Sequence, residues 1–224
     1  MRNVYLFEIN DVIANQIKLP YSTGLIWSYC ILDKEIEKNY NLDGWFYYRE
    51  DDDVIFDNIA DRSQGFFETH PYIDILVHGE GEITFKDILL ENLKQRPDFK
   101  TVAGCSIKNE DLTTFVTEAR PRIKNLNEMP TPYLNGLFDE LAKDCPFVLE
   151  STIETTRGCP YSCTFCEIGT KYYNKVQRQS VEKVKKEIDW ISANKVEFIY
   201  NADSNFGLFF DDHLAVTKYM IQKK

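Results

Sequence analysis

Residues 151–166, Ser-Thr-Ile-Glu-Thr-Thr-Arg-Gly-Cys159-Pro-Tyr-Ser-Cys163-Thr-Phe-Cys166, carry the most specific pattern in this chain. Ser151 to Thr156 has the composition of a strand, and it leads directly into three cysteines spaced Cys-x3-Cys-x2-Cys. Three thiolates on one short loop can converge on one inorganic cluster, because thiolates are the soft ligands that iron–sulfur centres require. A glycine and a proline inside the motif suit a loop that turns sharply to bring the sulfurs together.

Three protein ligands would leave one iron of a cubane cluster open, so that a small molecule could chelate it. Structural zinc is the alternative, and it normally requires four protein ligands. Cys145, just upstream of the strand, or a histidine could supply the fourth. Otherwise Cys30, Cys105 and Cys145 are most simply interpreted as buried, small apolar residues.

Strands and helices alternate after residue 150. Ser180 is a predicted N-cap for a helix that carries Val184 and Ile188 on one face. Val196 to Tyr200 is the next predicted strand, and Asp211 or Asp212 is expected to cap a last helix. This alternation predicts a parallel sheet or part of a barrel, in which chemistry lies at the carboxyl ends of the strands.

The first half of the chain is a mixture of predicted strands, helices and turns. Prolines 121, 130 and 132 indicate an extended linker, because proline and the residue before it resist helix. Apolar patterns and turn residues give the remaining expectations. These are strands over 4–9, 44–49 and 73–77, helices opening at Pro20 and running through 85–93, an acidic loop at 50–53, and a hairpin of 101–108 with 112–117.

Composition excludes several classes of protein. The chain has 224 residues, 43% of them hydrophobic, and a formal charge of 26 − 36 = −10. The acidic balance argues against generic nucleic-acid binding, which needs a basic footprint. No signal peptide and no apolar stretch long enough to span a bilayer are visible, so we expect a cytoplasmic protein that does not enter membranes. Six cysteines in such a compartment favour metal binding or free thiols over disulfides.

The cysteine motif, with Thr155-Thr-Arg-Gly before it and Phe165 before the last cysteine, resembles the cluster loop of radical S-adenosylmethionine (radical SAM) enzymes. The resemblance implies that Cys159, Cys163 and Cys166 hold a 4Fe–4S cluster and that Phe165 lies against the adenine of S-adenosylmethionine. It also implies reductive cleavage of that molecule to methionine and a 5′-deoxyadenosyl radical. The electron would come from a donor such as flavodoxin or ferredoxin.

Asn201-Ala-Asp203-Ser-Asn205 follows the second predicted strand of this half. In the family, this position often supplies polar contacts to the methionine amino group, so Asp203 is the first candidate and Asn205 the second. An acceptor here would hold the ammonium by a charge-assisted hydrogen bond. The alternative is a strand-to-helix turn, in which Asn, Asp, Ser and Gly serve backbone geometry.

His78-Gly-Glu-Gly-Glu82, the hairpin and the proline linker resemble radical SAM proteins with an amino-terminal cobalamin-binding domain. The resemblance implies cobalamin as a further cofactor. However, the Asp-x-His-x-x-Gly motif of some cobalamin proteins is absent, and Asp211-Asp-His213 is only a half match. We interpret His78 as a structural loop residue, and Glu80 and Glu82 as acceptors that organise the loop.

These observations predict an α/β protein in three parts. Residues 1–118 would form a reduced doubly wound, Rossmann-like domain, 119–150 a linker, and 151–224 the first strand–helix units of a partial TIM-type barrel. Both domains are shorter than the family pattern, because a doubly wound domain needs about five strand–helix units. We therefore expect a radical SAM iron–sulfur protein, a fragment of one, or half of a split enzyme with a complementing chain. The alternatives are a non-catalytic cluster or zinc module that acts with a partner, and a purely structural or interaction remnant. The sequence indicates no substrate.

Overall fold

A computed structural model describes residues 2–4, 8–11, 16–19, 21–42, 46–49, 66–69, 71–143, 145–166 and 173–223. The strands are β1 (Arg2–Val4), β2 (Glu8–Asp11), β3 (Gln16–Lys18), β4 (Tyr40–Leu42), β5 (Phe46–Arg49), β6 (Ile75–Val77), β7 (Cys105–Lys108), β8 (Thr114–Val116), β9 (Val148–Ile153), β10 (Thr156–Arg157), β11 (Gln177–Arg178) and β12 (Phe198–Asn201). The α-helices are α1 (Tyr21–Cys30), α2 (Lys34–Asn39), α3 (Phe66–Thr69), α4 (Gly81–Asn92), α5 (Asp139–Lys143), α6 (Val181–Ala193) and α7 (Phe210–Gln222).

The chain divides into two compact units whose segments interleave along the sequence. The first unit takes Met1–Tyr5, Tyr29–Asp43 and Glu50–Arg122. The second takes Leu6–Ser28, Gly44–Arg49 and Ile123–Lys224. The cysteine loop lies in the second unit, so that unit is described first.

The second unit is built on a three-stranded parallel sheet with the order β12-β9-β3. β9 lies in the centre, and its residues Leu149 and Ile153 are buried in the hydrophobic core. Parallel strands require crossover connections, and α6 lies in the connection from β9 to β12. The alternation of strand and helix after residue 150 therefore produces the parallel sheet that the sequence predicts.

Helix α6 begins where the sequence predicts. The Ser180 hydroxyl accepts a hydrogen bond from the Lys183 N–H at 3.3 Å, which satisfies one of the free donors of the first turn. Val184, Ile188 and Ile191 recur at helical spacing and are buried. The inner face of α6 thus anchors the helix to the core.

Helix α7 begins two or three residues earlier than the sequence predicts. Phe209 is the residue that precedes its first turn, so Asp211 and Asp212 lie inside that turn, and the prediction that one of them is the cap is wrong. Carboxylates in a first turn still favour the helix, because they face the positive end of its dipole. Val216 of α7 is buried with Val184 and Ile188 of α6.

An aromatic cluster supports the central strand beyond the end of its pairing with β3. The Tyr133 hydroxyl donates to the Thr152 carbonyl at 2.7 Å and accepts from the Thr152 N–H at 3.0 Å. Tyr133 therefore takes the place of a strand partner at this position. Tyr21 stacks on its ring at 5.6 Å, and Phe138 meets it edge-on at 5.4 Å.

The first unit contains an antiparallel sheet of β6, β7 and β8, with the predicted hairpin joining β7 to β8. Apart from this sheet, the unit holds a parallel pair of β1 with β4. In the second unit, β2 pairs with β5, also in parallel. The fold is a mixed α/β arrangement, as predicted, and its finer interpretation as a Rossmann-like domain and a partial barrel stays a prediction.

The predicted acidic loop at 50–53 lies outside the described residues. Within the described residues, no helix is both long enough and apolar enough to cross a bilayer.

Candidate metal centre

The cysteine loop leaves the carboxyl end of β9, the central strand of the parallel sheet. Thr156 and Arg157 of β10 pair with Arg178 and Gln177 of β11, and this short antiparallel ladder closes the base of the loop. The Cys159 N–H donates to the Tyr173 carbonyl at 2.9 Å. The loop is therefore held at both ends on the side of the sheet where α/β folds place their chemistry.

The three thiols of this loop are free and accessible. Cys163 is exposed, and Cys159 and Cys166 are half-buried. The Cys166 N–H donates to the Cys163 carbonyl at 3.2 Å, so these two residues share one turn. Gly158, directly before the first cysteine, has a φ of 112°, a conformation that residues with a Cβ rarely adopt.

The donor set fits an iron–sulfur cluster in chemistry, because it offers three soft thiol ligands on one solvent-accessible loop. In the part of the chain that the structure describes, however, no three Cys, His, Asp or Glu side chains lie close enough to hold a metal ion. The three sulfurs thus lie on one loop, but they are not close enough together to form a metal site as they stand. Metal binding commonly supplies the free energy that orders such ligands.

The structure places Cys145 away from any metal-binding role. Its half-buried side chain packs against the hydrophobic core that contains Leu149 and Ile153. Cys30 and Cys105 are buried, as predicted for small apolar residues, and burial raises the pKa of the Cys30 thiol to about 12. Among the described residues, no fourth cysteine therefore joins the three loop cysteines to complete a structural zinc site.

Phe165, a predicted site residue, has 91% of its surface exposed. An exposed phenylalanine is costly in water and is available to stack on a flat ligand. Its predicted contact with adenine stays a prediction.

A partly buried ion pair stabilises the stem of the loop. Arg157 donates from Nε to Glu154 Oε1 at 2.9 Å and from Nη2 to Oε2 at 2.8 Å, a bidentate arrangement. The side chains are 14% and 15% exposed. Gln179 also donates to the Glu154 carbonyl at 2.6 Å, which ties the returning strand to the stem.

Asp203 lies at the carboxyl end of β12, beside the stem of the cysteine loop. Its Oδ1 accepts from the N–H groups of Thr155 at 2.7 Å and of Thr156 at 2.9 Å, and its Oδ2 accepts from the Thr155 hydroxyl. The side chain is 0% exposed. The structure thus brings Asp203 to the predicted edge, where it already accepts three hydrogen bonds.

Asn201 and Asn205 differ from Asp203 because each has a side-chain hydrogen-bond donor that is not in use among the described residues. The Nδ2 atoms of both asparagines are buried, and neither finds a hydrogen-bond partner among the described residues. Buried donors are normally satisfied, so an unpaired pair at one strand end deserves an explanation such as a bound acceptor. Sequence reasoning named Asn205 as a candidate and did not name Asn201.

Sequence reasoning also missed His213 as part of this edge. It considered the residue only within the half match Asp211-Asp-His213, yet His213 is only 3% exposed and its Nε2 lies 3.2 Å from the Thr155 hydroxyl oxygen. Nothing in the local pattern signals this contact, because the two residues lie 58 positions apart. The sequence signal that could have indicated this contact is the position of the histidine, in the first turn of a helix that follows the loop after a strand.

The glutamates and the histidine of the first unit have structural partners. His78 Nε2 shares a hydrogen bond with the Ser106 hydroxyl at 2.7 Å. Glu80 forms an ion pair with Arg122 at 3.2 Å, with side chains 5% and 10% exposed. Both contacts agree with the interpretation of this segment as an organised loop, and both described histidines of the chain are engaged in hydrogen bonds.

Comparison with known proteins identifies the relatives of this chain. No family model matches it. It is 36% identical over 154 residues to the cobalamin-dependent radical SAM methyltransferase TokK of Streptomyces tokunonensis, a match that covers 67% of this chain and 22% of TokK. It is 37% identical over 156 residues to the 2-(S-pantetheinyl)-carbapenam-3-carboxylate methyltransferase of Streptantibioticus cattleyicolor, with the same coverage. The chain thus spans about a fifth of the length of these relatives.

Solved structures agree at the level of the fold. The cobalamin-dependent S-adenosylmethionine radical enzyme OxsB, with aqua-cobalamin and S-adenosylmethionine bound, matches with a TM-score of 0.59 at 19% identity. The match covers 100% of this chain and 37% of OxsB. Apo OxsB gives a TM-score of 0.53 over 92% of this chain.

The chain is therefore homologous to the radical SAM superfamily. The relatives that it matches are the members that depend on cobalamin, and the curated ones named above are methyltransferases.

Proposed function

We propose that this chain forms the cluster-binding part of a radical SAM enzyme. The observation that carries the proposal is the loop of Cys159, Cys163 and Cys166, three free thiols at the carboxyl end of a central parallel strand. The homology to radical SAM proteins supports the same interpretation.

Each cysteine would bind one iron of a 4Fe–4S cluster, and the fourth iron would accept S-adenosylmethionine. When bound and reduced, the cluster supplies one electron that cleaves a carbon–sulfur bond of S-adenosylmethionine to methionine and a 5′-deoxyadenosyl radical. An electron donor such as flavodoxin or ferredoxin would deliver that electron. Phe165, exposed beside the last cysteine, would cover the adenine.

Asn205, together with Asn201, is the better candidate for a polar contact to S-adenosylmethionine. Both present buried Nδ2 donors that lack a partner in the described structure, whereas Asp203 already accepts three hydrogen bonds from Thr155 and Thr156. Amide donors complement an oxygen acceptor, so we assign them to the carboxylate or a ribose hydroxyl of S-adenosylmethionine and not to its amino group.

Among the residues that the structure describes, we find no histidine available as a cobalt ligand for the cobalamin of the relatives. His78 and His213 are the histidines that the structure describes, and each is held by a hydroxyl-bearing residue of its own unit. Cobalamin chemistry and methyl transfer are therefore assigned to the relatives, and no step of the proposed function uses them.

The alternative function is a cluster module that acts with a complementing chain. One observation favours it: β12 forms the outer edge of the described parallel sheet, and its Phe198 and Tyr200 are 46% and 59% exposed. An apolar strand edge is a template for another strand. In this alternative the chain binds the same cluster, but cleavage of S-adenosylmethionine requires the partner chain.

Anaerobic reconstitution with iron and sulfide tests the proposal. We expect the chain to bind a cluster with the broad visible absorbance of thiolate-bound iron and sulfide, and to cleave S-adenosylmethionine after reduction. Replacement of Cys159, Cys163 and Cys166 together by serine should abolish both. Cys145→Ser is the matched control, because that cysteine packs in the core, and it should retain the cluster.

Three outcomes separate the alternatives. A colourless protein that binds one zinc contradicts the proposal. A cluster that forms in the triple variant shows that other side chains hold it and also contradicts the proposal. A cluster that cleaves S-adenosylmethionine only when a second chain is added supports the module.

A further inference from the structure

A continuous chain of hydrogen bonds joins the stem of the cysteine loop to the β12–α7 loop. His213 Nε2 lies 3.2 Å from Thr155 Oγ1, and the Thr155 hydroxyl donates to Asp203 Oδ2. Asp203 Oδ1 accepts from the N–H groups of Thr155 and Thr156 at 2.7 and 2.9 Å. The side chains of His213 and Asp203 are 4% and 0% exposed.

The direction of these bonds is fixed by a further partner. The Gly207 N–H donates to His213 Nδ1, so in the neutral ring Nε2 carries the hydrogen. His213 Nε2 then donates to the Thr155 oxygen, and Thr155 donates to Asp203. Donors that all point the same way polarise one another, which strengthens the chain inside a buried environment.

Aromatic contacts hold the histidine ring in place. Phe206 stacks on it with centroids 4.5 Å apart and an interplanar angle of 8°. Phe209 meets the ring edge-on at 6.1 Å. Gly207 has a φ of 103°, which a residue with a side chain would adopt only with strain. The ring therefore has one well-defined position.

The ends of this network coincide with the two parts of the candidate site. Thr155 and Thr156 lead directly into the loop of Cys159, whereas Asp203 and Gly207 lie on either side of Asn205. The network thus connects the residues that would hold the cluster to the residues that would contact S-adenosylmethionine.

We propose that His213, Thr155 and Asp203 are positioning residues, which hold the stem of the cysteine loop in register with the amide donors of Asn201 and Asn205. The inference rests on the proposed function and adds three residues to that site. They act through their neighbours and need not touch a ligand. Without them, the cluster ligands would remain, but the S-adenosylmethionine contacts would lose their alignment with the open iron.

Thr155→Val tests this role, because valine fills a similar space but removes the hydroxyl that joins His213 to Asp203. We expect it to retain the iron and sulfide content of the reconstituted chain. The dissociation constant for S-adenosylmethionine should rise about ten-fold, because the amide donors of Asn201 and Asn205 would no longer be held in position by the network. The change that S-adenosylmethionine causes in the electron paramagnetic resonance spectrum of the reduced cluster should weaken in parallel.

Thr155→Ser restores the hydroxyl and should restore wild-type affinity, which a purely steric role of the threonine would not require. His213→Leu should repeat the effect of Thr155→Val. Val216→Ala on the same helix is the stability control, because Val216 packs with Val184 and Ile188 of α6 and takes no part in the hydrogen bonds of the network, so affinity should be unchanged. Amide hydrogen exchange at residues 155–159, measured on the metal-free chain, should accelerate in Thr155→Val and not in Thr155→Ser.

The proposal is overturned if Thr155→Val binds S-adenosylmethionine as tightly as the wild type. It is also overturned if Val216→Ala, at equal loss of thermal stability, weakens binding as much. Should Thr155→Val not fold, His213→Leu decides by the same criteria. A wild-type chain that binds no cluster contradicts the proposed function instead, and the exchange experiment still tests the network by itself.

Discussion

Glu187 is a buried carboxyl group on the inner face of α6, at a position where the helical pattern alone would place an apolar residue. Its side chain is fully buried. Burial raises the pKa of Glu187 to about 7, against the opposing effects of Lys183 and Thr131. Lys183 is itself held by the carbonyls of Leu126 at 2.8 Å and Met129 at 2.5 Å. Near neutral pH, Glu187 therefore binds a proton that the unfolded chain would release.

We expect the stability of the chain to fall as pH rises from about 4.5 to about 7 because of this group. The folded state binds the proton more tightly than the unfolded state, so its advantage is present at low pH and lost above the folded pKa. The contribution is on the order of 3 kcal/mol. Chemical denaturation across this pH range, for wild type and Glu187→Gln, measures it.

Glu187→Gln should flatten the pH dependence, because glutamine does not titrate. Glu182→Gln, in the exposed first turn of the same helix, is the control and should leave the slope unchanged. An identical slope in wild type and Glu187→Gln would show that other groups cause the dependence.

At the level of elements, the turn between β7 and β8 shows how a hairpin predicted from sequence is completed. The Asn109 N–H donates to the Thr113 carbonyl at 2.9 Å, and Asp111 accepts from the Thr113 N–H at 3.1 Å. Leu112 has a φ of 65°, in the left-handed region. A leucine there stores backbone strain, since its Cβ crowds the neighbouring carbonyl.

Leu112→Gly should therefore stabilise the hairpin. Relief of the left-handed strain exceeds the entropy that glycine loses on folding, and we expect a gain of about 1 kcal/mol in the free energy of unfolding. Leu112→Ala keeps a Cβ and should give no gain. Equal effects of both substitutions, measured by chemical denaturation, would contradict the strain argument.

At the scale of the whole molecule, the outer edge of the parallel sheet is the surface at which we expect association. β12 is the last strand in the described sheet, and Phe198 is 46% exposed on it. Unpaired backbone donors and acceptors next to apolar side chains favour pairing with another strand. The relatives are much longer than this chain, which spans 22% of TokK.

We expect the isolated chain to associate in a concentration-dependent manner through this edge. Phe198→Lys should shift the equilibrium towards monomer, because a charge on an edge strand disfavours strand pairing. Sedimentation velocity over a range of concentrations measures the shift. Tyr72→Lys, which changes an aromatic residue 76% exposed outside any strand, is the control, and an equal effect of both would place association elsewhere.

Local sequence rules predicted the elements whose signals are local. The Ser180 cap, the hairpin and the strand before Cys159 depend on propensity, capping and turn chemistry within a few residues. The cysteine motif likewise identified the superfamily, because ligand type and spacing are written in adjacent positions. These features are determined by the sequence without knowledge of distant contacts.

The pairing of distant segments emerged only from the tertiary structure. β3, far upstream, joins the sheet of β9, and His213 meets Thr155 across 58 positions. A short strand carries no information about its partner, and a single buried histidine has no characteristic period. Such contacts depend on which surfaces the whole fold buries together, so the positioning network of the site became visible only when the strand ends were assembled.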